Sequence, residues 1–232
     1  PDSPAALDLP VETKDRVIEL GVGSITRMLY RDGFFHADLH PANLVILPGP
    51  RCGFIDLGMV GRFDSDLRHT LLYYYYSLIV GEHENAANYL ALIAETGPGS
   101  DPVAFRRDVE EVCRHWSHRS RFAQASLAEL ILHSVGKGAR HRMYFPVEMV
   151  LMVKALVTYE GVGYLLDPEF NVARVSERHV GRIFRHQYAP AQLFREAVRS
   201  IPAVVDALTK MPLLVTEGLR VMENQARREP ER

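Results

Sequence analysis

The sequence predicts a mainly α-helical fold with one small β-hairpin near its beginning, an α+β arrangement. Apolar residues recur at steps of three and four through most of the chain after residue 64, which is the spacing of a helix face. Between residues 44 and 56, two short apolar runs flank Pro48-Gly49-Pro50, a pattern typical of a hairpin turn. With 232 residues, 47% of them hydrophobic, the chain can form one sizeable core.

One helix is predicted before the hairpin, over residues 11–31, and Asp32-Gly33 ends it. Its apolar face consists of Ile18, Val22, Ile25 and Leu29. Beyond the hairpin, Asp64 or Ser65 is predicted to cap a helix that runs to about Val80, and Asp101-Pro102 begins another. The helix that begins at Asp101-Pro102 is predicted over residues 102–118. Other helices are predicted over residues 84–95, 125–136, 146–165 and, as one or two amphipathic helices, 190–226.

These patterns divide the chain into a leader (1–10), a main domain (11–189, with its helical body at 64–189) and amphipathic C-terminal helices (190–232). In the last segment, an apolar stripe continues from Ile201 to Met222. Such a stripe either packs on the helical body or lies on a membrane surface, and its mixed charges favour only modest attraction to anionic lipid.

Composition excludes several classes of function. A formal net charge of −2 disfavours nucleic acid as a partner, because phosphate binding needs a positive excess. The two cysteines, Cys52 and Cys113, have no nearby partners and indicate a reducing, cytoplasmic setting. No uninterrupted apolar run approaches the roughly 20 residues of a membrane span. The best stretch, Met149 to Val157, is interrupted by Lys154.

The most informative segment is an aperiodic loop over residues 34–43, which contains His36-Ala-Asp38-Leu-His40-Pro-Ala-Asn43. Thirteen residues after Asn43, at the end of the predicted hairpin, stands Asp56-Leu57-Gly58. In protein kinases, the catalytic aspartate and a metal-binding asparagine stand five residues apart in a loop, and a second metal-binding aspartate follows. The spacing of Asp38, Asn43 and Asp56 reproduces that pattern.

Phosphoryl transfer from ATP explains why these residue types are needed. Asp38 would orient the attacking hydroxyl or water, while Asn43 and Asp56 would supply the oxygen ligands that Mg²⁺ prefers. Gly58 would let the backbone turn sharply after the metal ligand.

Two other interpretations of the motif stay open. Asp38, Asn43 and Asp56 are also ordinary turn residues. Alternation of His36, Asp38 and His40 could instead indicate a transition-metal hydrolase, but no second cluster has ligand spacing. The remaining histidines are scattered: His69, His83, His115, His118, His133, His141, His179 and His186.

At these residues the chain resembles the UbiB (AarF/ADCK) family of atypical kinases, whose loop has the form HxDPHPGN and is followed by DxG. The departures are Leu39 for proline and Ala42 for glycine, and neither position carries the metal or the base. The matching residues are His36, Asp38, His40, Pro41, Asn43, Asp56 and Gly58. Further landmarks are Phe34-Phe35, Met59-Val60-Gly61, Glu160 to Gly163 and Asp167-Pro168.

The resemblance covers about residues 11–210 and implies a protein-kinase-like C-lobe. It implies that Asp38 is the catalytic aspartate, that Asn43 and Asp56 bind Mg²⁺, and that Gly58 belongs to the ATP-binding segment. His36, His40 and Pro41 would be structural residues of the loop, with His36 holding the Asp56-Leu57-Gly58 backbone. The implied cofactors are ATP and Mg²⁺.

The resemblance also implies an enzyme of ubiquinone-type isoprenoid lipid biosynthesis, a kinase or an ATPase. Its partners would be nucleotide and isoprenoid-quinone intermediates or their biosynthetic enzymes, with peripheral contact at the inner face of a membrane. A small-molecule phosphotransferase of the aminoglycoside or choline type shares a similar loop and remains an alternative, although the landmark from Glu160 to Pro168 argues against it. A pseudokinase scaffold is the other alternative.

No counterpart of the kinase N-lobe is found in the sequence. Only about thirty-five residues precede the loop. Gly21-Val22-Gly23 does not form a phosphate loop, and Lys154, which faintly resembles a strand lysine, stands on a predicted helix after Asp56. We therefore expect this chain, which begins at Pro1, to be part of a longer protein and to be inactive alone.

Overall fold

The computed structural model describes residues 8–47, 51–122 and 125–187, together with Ser3, Ala6 and Gly49. The chain divides into two units, residues 1–184 and 185–232, and the core and the site described below belong to the first. The amphipathic helices predicted over 190–226 lie outside the described residues.

Helices dominate the described chain, as predicted. They are α1 (Val11–Arg27), α2 (Ser65–Val80), α3 (His83–Ile93), α4 (Pro102–Phe122), α5 (Leu127–Arg140), α6 (Val147–Leu166) and α7 (Val172–Gln187). The short strands are β1 (Phe34–His36), β2 (Leu44–Leu47), β3 (Arg51–Phe54), β4 (Val60–Arg62), β5 (Glu95–Thr96) and β6 (Met143–Tyr144).

The first helix ends where the sequence indicates. After α1, one π-helical turn over Met28–Asp32 continues the helix, and Gly33 ends it with a φ of 66°. A left-handed residue at this position is favourable for glycine, because no Cβ meets the following carbonyl. The prediction of a helix over 11–31 that ends at Asp32-Gly33 is confirmed.

Two predicted helix caps are also confirmed. The Asp64 carboxylate accepts a hydrogen bond from the Leu67 N–H at 2.8 Å, at the start of α2. The Asp101 carboxylate accepts from the Ala104 N–H at 3.0 Å, at the start of α4. Each cap satisfies an N–H group that the first helical turn leaves without a carbonyl partner.

The predicted hairpin is present, but its second strand begins earlier than expected. Strands β2 and β3 pair antiparallel, with Leu44 opposite Phe54 and Leu47 opposite Arg51. The sequence predicted residues 53–56 for the second strand, because Phe54 and Ile55 are apolar. Pairing starts directly after the turn at Gly49 (φ 72°), so Ile55 and Asp56 lie beyond the hairpin.

Two other strand pairs were not predicted. Strands β1 and β4 pair antiparallel, with Phe35 opposite Gly61, and thereby join the start of the loop to the segment after Gly58. A Cβ atom at position 61 would overlap the fully buried Phe35 ring, so only glycine fits there. Strands β5 and β6 also pair, and Glu95, predicted as the last residue of a helix, lies in β5 because α3 ends at Ile93.

One helix, α7, is absent from the sequence prediction. The Asn171 side chain caps it by accepting from the Arg174 N–H at 3.0 Å. Val172 and Val180 are buried, and the Ser176 hydroxyl lies 2.5 Å from the Tyr75 hydroxyl of α2. The sequence feature that could have predicted this helix is the spacing of these small and apolar residues along one helix face.

Helix α6 is the central element behind the site. By length and apolar composition alone, this helix, one such helix among the described residues, would be able to cross a membrane. In this fold, 56% of its most apolar stretch is buried, which is the arrangement of a core helix. Met149, Met152 and Ala155 are fully buried against the hydrophobic core.

Candidate functional site

Within the loop, residues 37–40 alternate between buried and more exposed side chains. Ala37 and Leu39 are buried, at 0% and 2% exposure, whereas Asp38 is half-exposed and His40 exposed. Pro41 then begins a single 3₁₀ turn that ends at Asn43, where its fixed φ and missing N–H are tolerated. Leu39, the residue that departs from the family's proline, therefore anchors the loop in the core.

His36 ties the loop to the segment that carries Asp56. Its ring is 1% exposed. The Nδ1 atom accepts a hydrogen bond from the Asp38 N–H at 3.1 Å, so the proton resides on Nε2, which donates to the Ile55 carbonyl at 3.1 Å. Both ring nitrogens are occupied, which leaves His36 unsuited to bind a metal ion and disfavours the hydrolase interpretation.

Hydrogen bonds fix the orientation of the Asn43 side chain through its NH₂ group and leave its amide oxygen available as a ligand. The side chain is 7% exposed, and its NH₂ group donates to the Asp38 carbonyl at 3.2 Å and to His40 Nε2 at 3.1 Å. A flipped amide would place oxygen against the carbonyl oxygen of Asp38, so the network fixes this orientation. Among the described residues, the Oδ1 atom has no hydrogen-bond partner.

This network gives His40 a role that the sequence did not reveal. By accepting from the amide of Asn43, the imidazole orients the oxygen that the sequence predicts to bind Mg²⁺. Asn43 also joins the two halves of the site through its backbone, because the Ile55 N–H donates to the Asn43 carbonyl at 3.0 Å. Ile55 and its neighbour Asp56 are thus fixed beside Asn43.

Asp56 has an unusual backbone. Its φ is 56°, in the left-handed region that costs most residues energy but that aspartate tolerates better than others. One carboxylate oxygen accepts from the Gly58 N–H at 3.2 Å, and the side chain is exposed. A residue held in a strained conformation is a candidate for a functional role.

Gly58 lies in the turn that follows Asp56, as the sequence predicts. The positive φ of this segment is at Asp56 and not at Gly58. A Cβ atom at position 58 would lie 3.0 Å from Oδ1 of Asp56, which is closer than side-chain contacts usually come. A larger residue at position 58 would therefore require the Asp56 carboxylate to shift by a few tenths of an ångström.

Lys154, on α6, forms an ion pair with Asp38. The distance from its Nζ to Oδ1 of Asp38 is 2.9 Å, and its Nζ also lies 3.4 Å from the Met59 sulfur. The hydrogen bond from Lys154 lowers the pKa of the Asp38 carboxyl below its ordinary value of 3.8, and the charge of Lys154 adds to the effect. This contact could not be predicted from the sequence, because the two residues are far apart along the chain.

A second residue of α6 supports the loop backbone. The Tyr159 hydroxyl donates a hydrogen bond to the His36 carbonyl. Tyr159 is 7% exposed, and burial raises the pKa of its hydroxyl, so it remains a neutral donor. The adjacent Glu160 accepts from the N–H groups of Leu127 and Ala128, at 2.7 and 3.2 Å, and so fastens α6 to the start of α5.

The arrangement suits phosphoryl transfer with few protein ligands to the ion. In the part of the chain that the structure describes, no three His, Cys, Asp or Glu side chains are grouped closely enough to hold a metal. Asn43 offers one oxygen and Asp56 a carboxylate. Mg²⁺ is usually coordinated by one or two protein ligands together with substrate phosphates, so this ligand set is suitable.

Known protein families match both the site and the helical body. The model of the ABC1 atypical kinase-like domain matches residues 5–90, and that of the UbiB helical domain matches residues 109–171. This chain belongs to the UbiB family of atypical kinases. The first match contains Asp38, Asn43 and Asp56, and the second contains Lys154 and Tyr159.

Individual relatives agree with the family assignment. "Probable protein kinase UbiB" of Xanthomonas oryzae pv. oryzae (strain MAFF 311018) is 25% identical over 94% of this chain and 40% of its own length. "Protein ACTIVITY OF BC1 COMPLEX KINASE 7, chloroplastic" of Arabidopsis thaliana is 26% identical over 87% of this chain and 30% of its own length. The chain therefore spans 40% of the length of the bacterial relative and 30% of the length of the plant relative. The resemblance drawn from the loop motif is confirmed.

Proposed function

We propose that this chain is the ATP- and Mg²⁺-binding catalytic part of an atypical kinase or ATPase. The observation that carries the proposal is the fixed amide of Asn43, whose free oxygen faces neither Asp38 nor His40. Three groups that phosphoryl transfer needs are thereby linked: a half-exposed aspartate, an oriented amide oxygen and the carboxylate of Asp56.

The ion site follows from the free oxygens. Oδ1 of Asn43 and the carboxylate of Asp56 would hold Mg²⁺, which when bound offsets the negative charge of the β- and γ-phosphates. The strained backbone of Asp56 aims the carboxylate, and the Gly58 N–H holds one of its oxygens.

Asp38 would act on the nucleophile. Its carboxylate accepts a hydrogen bond from the attacking hydroxyl or water, which orients the oxygen toward the γ-phosphorus. As the new oxygen–phosphorus bond forms, the bond from that phosphorus to the bridging oxygen breaks and ADP leaves. The proton of the nucleophile passes to Asp38.

The biological setting is proposed from the family. The bacterial relatives are named "Probable protein kinase UbiB", and the resemblance to the UbiB family implies a role in ubiquinone-type isoprenoid lipid biosynthesis. Ile55, Leu57 and Met59, beside the site, are 50%, 60% and 40% exposed. An apolar rim of this kind is suited to a lipid intermediate or a partner enzyme at the inner face of a membrane.

Calorimetry of the full-length natural protein tests the proposal. Wild-type protein is expected to bind ATP analogues with Mg²⁺ and to lose most of that affinity when EDTA removes the ion. Asp56→Asn removes a charge where the ion would be held, so Mg²⁺ should no longer improve its affinity for nucleotide.

Asp66→Asn is the matched control, because Asp66 is exposed in the first turn of α2 and its carboxylate accepts a hydrogen bond from the neighbouring Ser65 hydroxyl. It should bind as wild type does. Unchanged Mg·nucleotide affinity in Asp56→Asn, or affinity that does not depend on the ion in wild type, would contradict the proposal.

A further inference from the structure

We propose that Lys154 is the cation that contacts the transferring phosphoryl group, and that Asp38 holds it in place until nucleotide enters. The inference rests on the proposed function and adds a catalytic residue to it. Nothing in the loop motif or in the Asp56-Leu57-Gly58 triplet indicates this residue, which comes from a helix about a hundred positions later.

The position of the Lys154 ammonium is the first support. It lies 2.9 Å from Oδ1 of Asp38, where the nucleophile would bind, and 3.4 Å from the sulfur of Met59, just after the Asp56 triplet. An ammonium group has three donors, and a thioether is a weak acceptor. Lys154 therefore keeps donor capacity, and its side chain is 47% exposed, so a phosphate can reach it.

The fixed backbone position of Lys154 is the second support. Val153 and Ala155, on either side, are buried at 8% and 0% exposure, so the backbone of Lys154 is fixed in the core. Tyr159, further along the same helix, donates to the carbonyl of His36 and holds α6 to the loop. A fixed backbone and a flexible four-carbon stem allow the ammonium to move from a carboxylate to a nearby phosphate without any rearrangement of the fold.

The charge of the site is the third support. The site contributes the carboxylates of Asp38 and Asp56, and ATP brings several more negative charges. Among the described residues, Lys154 is the cation that forms an ion pair with Asp38, on the side of the site where the nucleophile would bind. Transfer of a phosphoryl group needs positive charge on its oxygens, which this class of enzyme supplies with a metal ion and with lysine or arginine.

The choice of lysine is informative in this chain. Of its 27 basic residues, only Lys14, Lys137, Lys154 and Lys210 are lysines. Arginine's planar fork pairs two-pronged with a single partner, whereas lysine is a compact point charge that can exchange partners. An exchange of partners is what the proposed step requires.

In that step, the ammonium of Lys154 moves from the carboxylate of Asp38 to the oxygens of the γ-phosphoryl group and remains protonated. The nucleophile's oxygen bonds to phosphorus, the bond to the leaving ADP oxygen breaks, and the nucleophile's proton goes to the carboxylate that Lys154 has released. Lys154 thus stabilises the negative charge of the transition state and leaves the carboxylate of Asp38 able to accept the proton.

Steady-state ATP turnover by the full-length protein is the first test. Lys154→Met keeps the stem and removes the charge, and kcat should fall by about 10² to 10³, the usual loss for one donor to a developing negative charge, while KM for ATP changes little. Lys154→Arg should recover only part of that loss. Lys137→Met, which removes another half-exposed helical lysine that lies 3.9 Å from an aspartate, should match wild type.

Lysine footprinting gives a readout that does not depend on activity. Wild-type protein is treated with acetic anhydride, and acetylation of each lysine peptide is followed by mass spectrometry. Mg²⁺ with the β,γ-imido analogue of ATP should protect Lys154, whereas Mg²⁺ with ADP, which lacks the γ-phosphate, should not. Acetylation of Lys137 should be the same in all samples.

The outcomes separate the two proposals. Wild-type protein that neither binds nor hydrolyses Mg·ATP would overturn the proposed function and this inference together. Wild-type protein that is active, with Lys154→Met turning over equally well, would overturn the inference alone. A loss of kcat without protection that depends on the γ-phosphate would also overturn it, because Lys154 would then only position Asp38.

Discussion

The two halves of the site differ sharply in how the fold treats them. In the loop from His36 to Asn43, both of these end residues are buried, and every bond described for them runs to the loop itself, to Ile55 or to Tyr159. In the segment from Ile55 to Val60, each residue is exposed, and Asp56 is held mainly by one N–H bond and a strained φ.

This difference teaches which part of the chemistry is preformed. The loop is part of the hydrophobic core, so its geometry is maintained by folding itself. The exposed segment is positioned by backbone hydrogen bonds at Ile55 and Met59 and by the pairing of β4. Substitutions around the loop should therefore change the free energy of unfolding, whereas substitutions in the exposed segment should change binding.

The largest expected effect comes from breaking the attachment at β4. Gly61→Ala places a methyl group into the buried ring of Phe35, and such overpacking should cost about 3 kcal/mol of unfolding free energy. Urea denaturation measures it. Gly136→Ala is the matched control, because a Cβ there meets nothing within 4 Å in an exposed part of α5, and it should stabilise the protein slightly. Equal stability of both variants would show that β1 and β4 do not hold the two halves together.

The next effect concerns the attachment of α6, which carries Lys154 and Tyr159. Glu160→Ala leaves the N–H groups of Leu127 and Ala128 without their acceptor, which should cost about 2 to 3 kcal/mol. Glu160→Gln keeps an accepting oxygen and should cost much less. Thermal unfolding of the two variants compares them directly, and equal losses would show that the hydrogen bonds do not matter.

The same residue predicts a pH dependence. Burial raises the pKa of the Glu160 carboxyl above its ordinary value of 4.5. The folded state then holds the proton more tightly than the unfolded state, so Glu160 lowers stability as pH rises from 4.5 to the raised pKa and contributes no further change above it. A difference between wild type and Glu160→Gln that grows across this interval is expected in unfolding measured against pH. A difference that is constant with pH would contradict the prediction.

A smaller loss is expected for the hydroxyl that supports the loop. Tyr159→Phe leaves the buried carbonyl of His36 without this donor, which should cost about 1 to 2 kcal/mol and lower kcat by misplacing Asp38. Tyr144→Phe is the control, because Tyr144 is 59% exposed in β6. If Tyr159→Phe is as stable and as active as Tyr144→Phe, the loop does not depend on α6.

The smallest effect should be found in the exposed segment. Asparagine tolerates the left-handed φ of Asp56 as aspartate does, and the side chain is exposed. Without nucleotide, Asp56→Asn should therefore change the free energy of unfolding by less than about 0.5 kcal/mol, as most surface substitutions do. A large loss of stability in chemical denaturation would mean that this half is also part of the folding core.

Local signals in the sequence were sufficient for the helices other than α7 and for recognition of the motif. Caps such as Asp64 and Asp101 indicate where helices begin. The spacing of Asp38 and Asn43 predicts a kinase-type site, and their roles stay a prediction. The close approach of the Asp56 carboxylate to Gly58 could not be predicted, because it depends on where the Asp56 side chain lies in the folded chain.

Non-local contacts account for most of what the sequence could not predict. Strands β1 and β4 have three residues each, too short to show a period, and they pair across the whole hairpin. Lys154 was visible only as a charge inside an apolar helix, since its pairing with Asp38 depends on how α6 packs. His40 was visible only as a family match, since its hydrogen bond to Asn43 depends on the 3₁₀ turn.

Binding of Mn²⁺, which replaces Mg²⁺ in such sites, tests most directly the claim that Asn43 and Asp56 hold the ion beside nucleotide. Electron paramagnetic resonance of the full-length protein distinguishes free from bound Mn²⁺. With ADP present, wild-type protein should lower the signal of free Mn²⁺ well below the level given by ADP alone, whereas Asn43→Leu and Asp56→Asn should leave it close to that level. Equal Mn²⁺ binding by wild type and both variants would contradict the account.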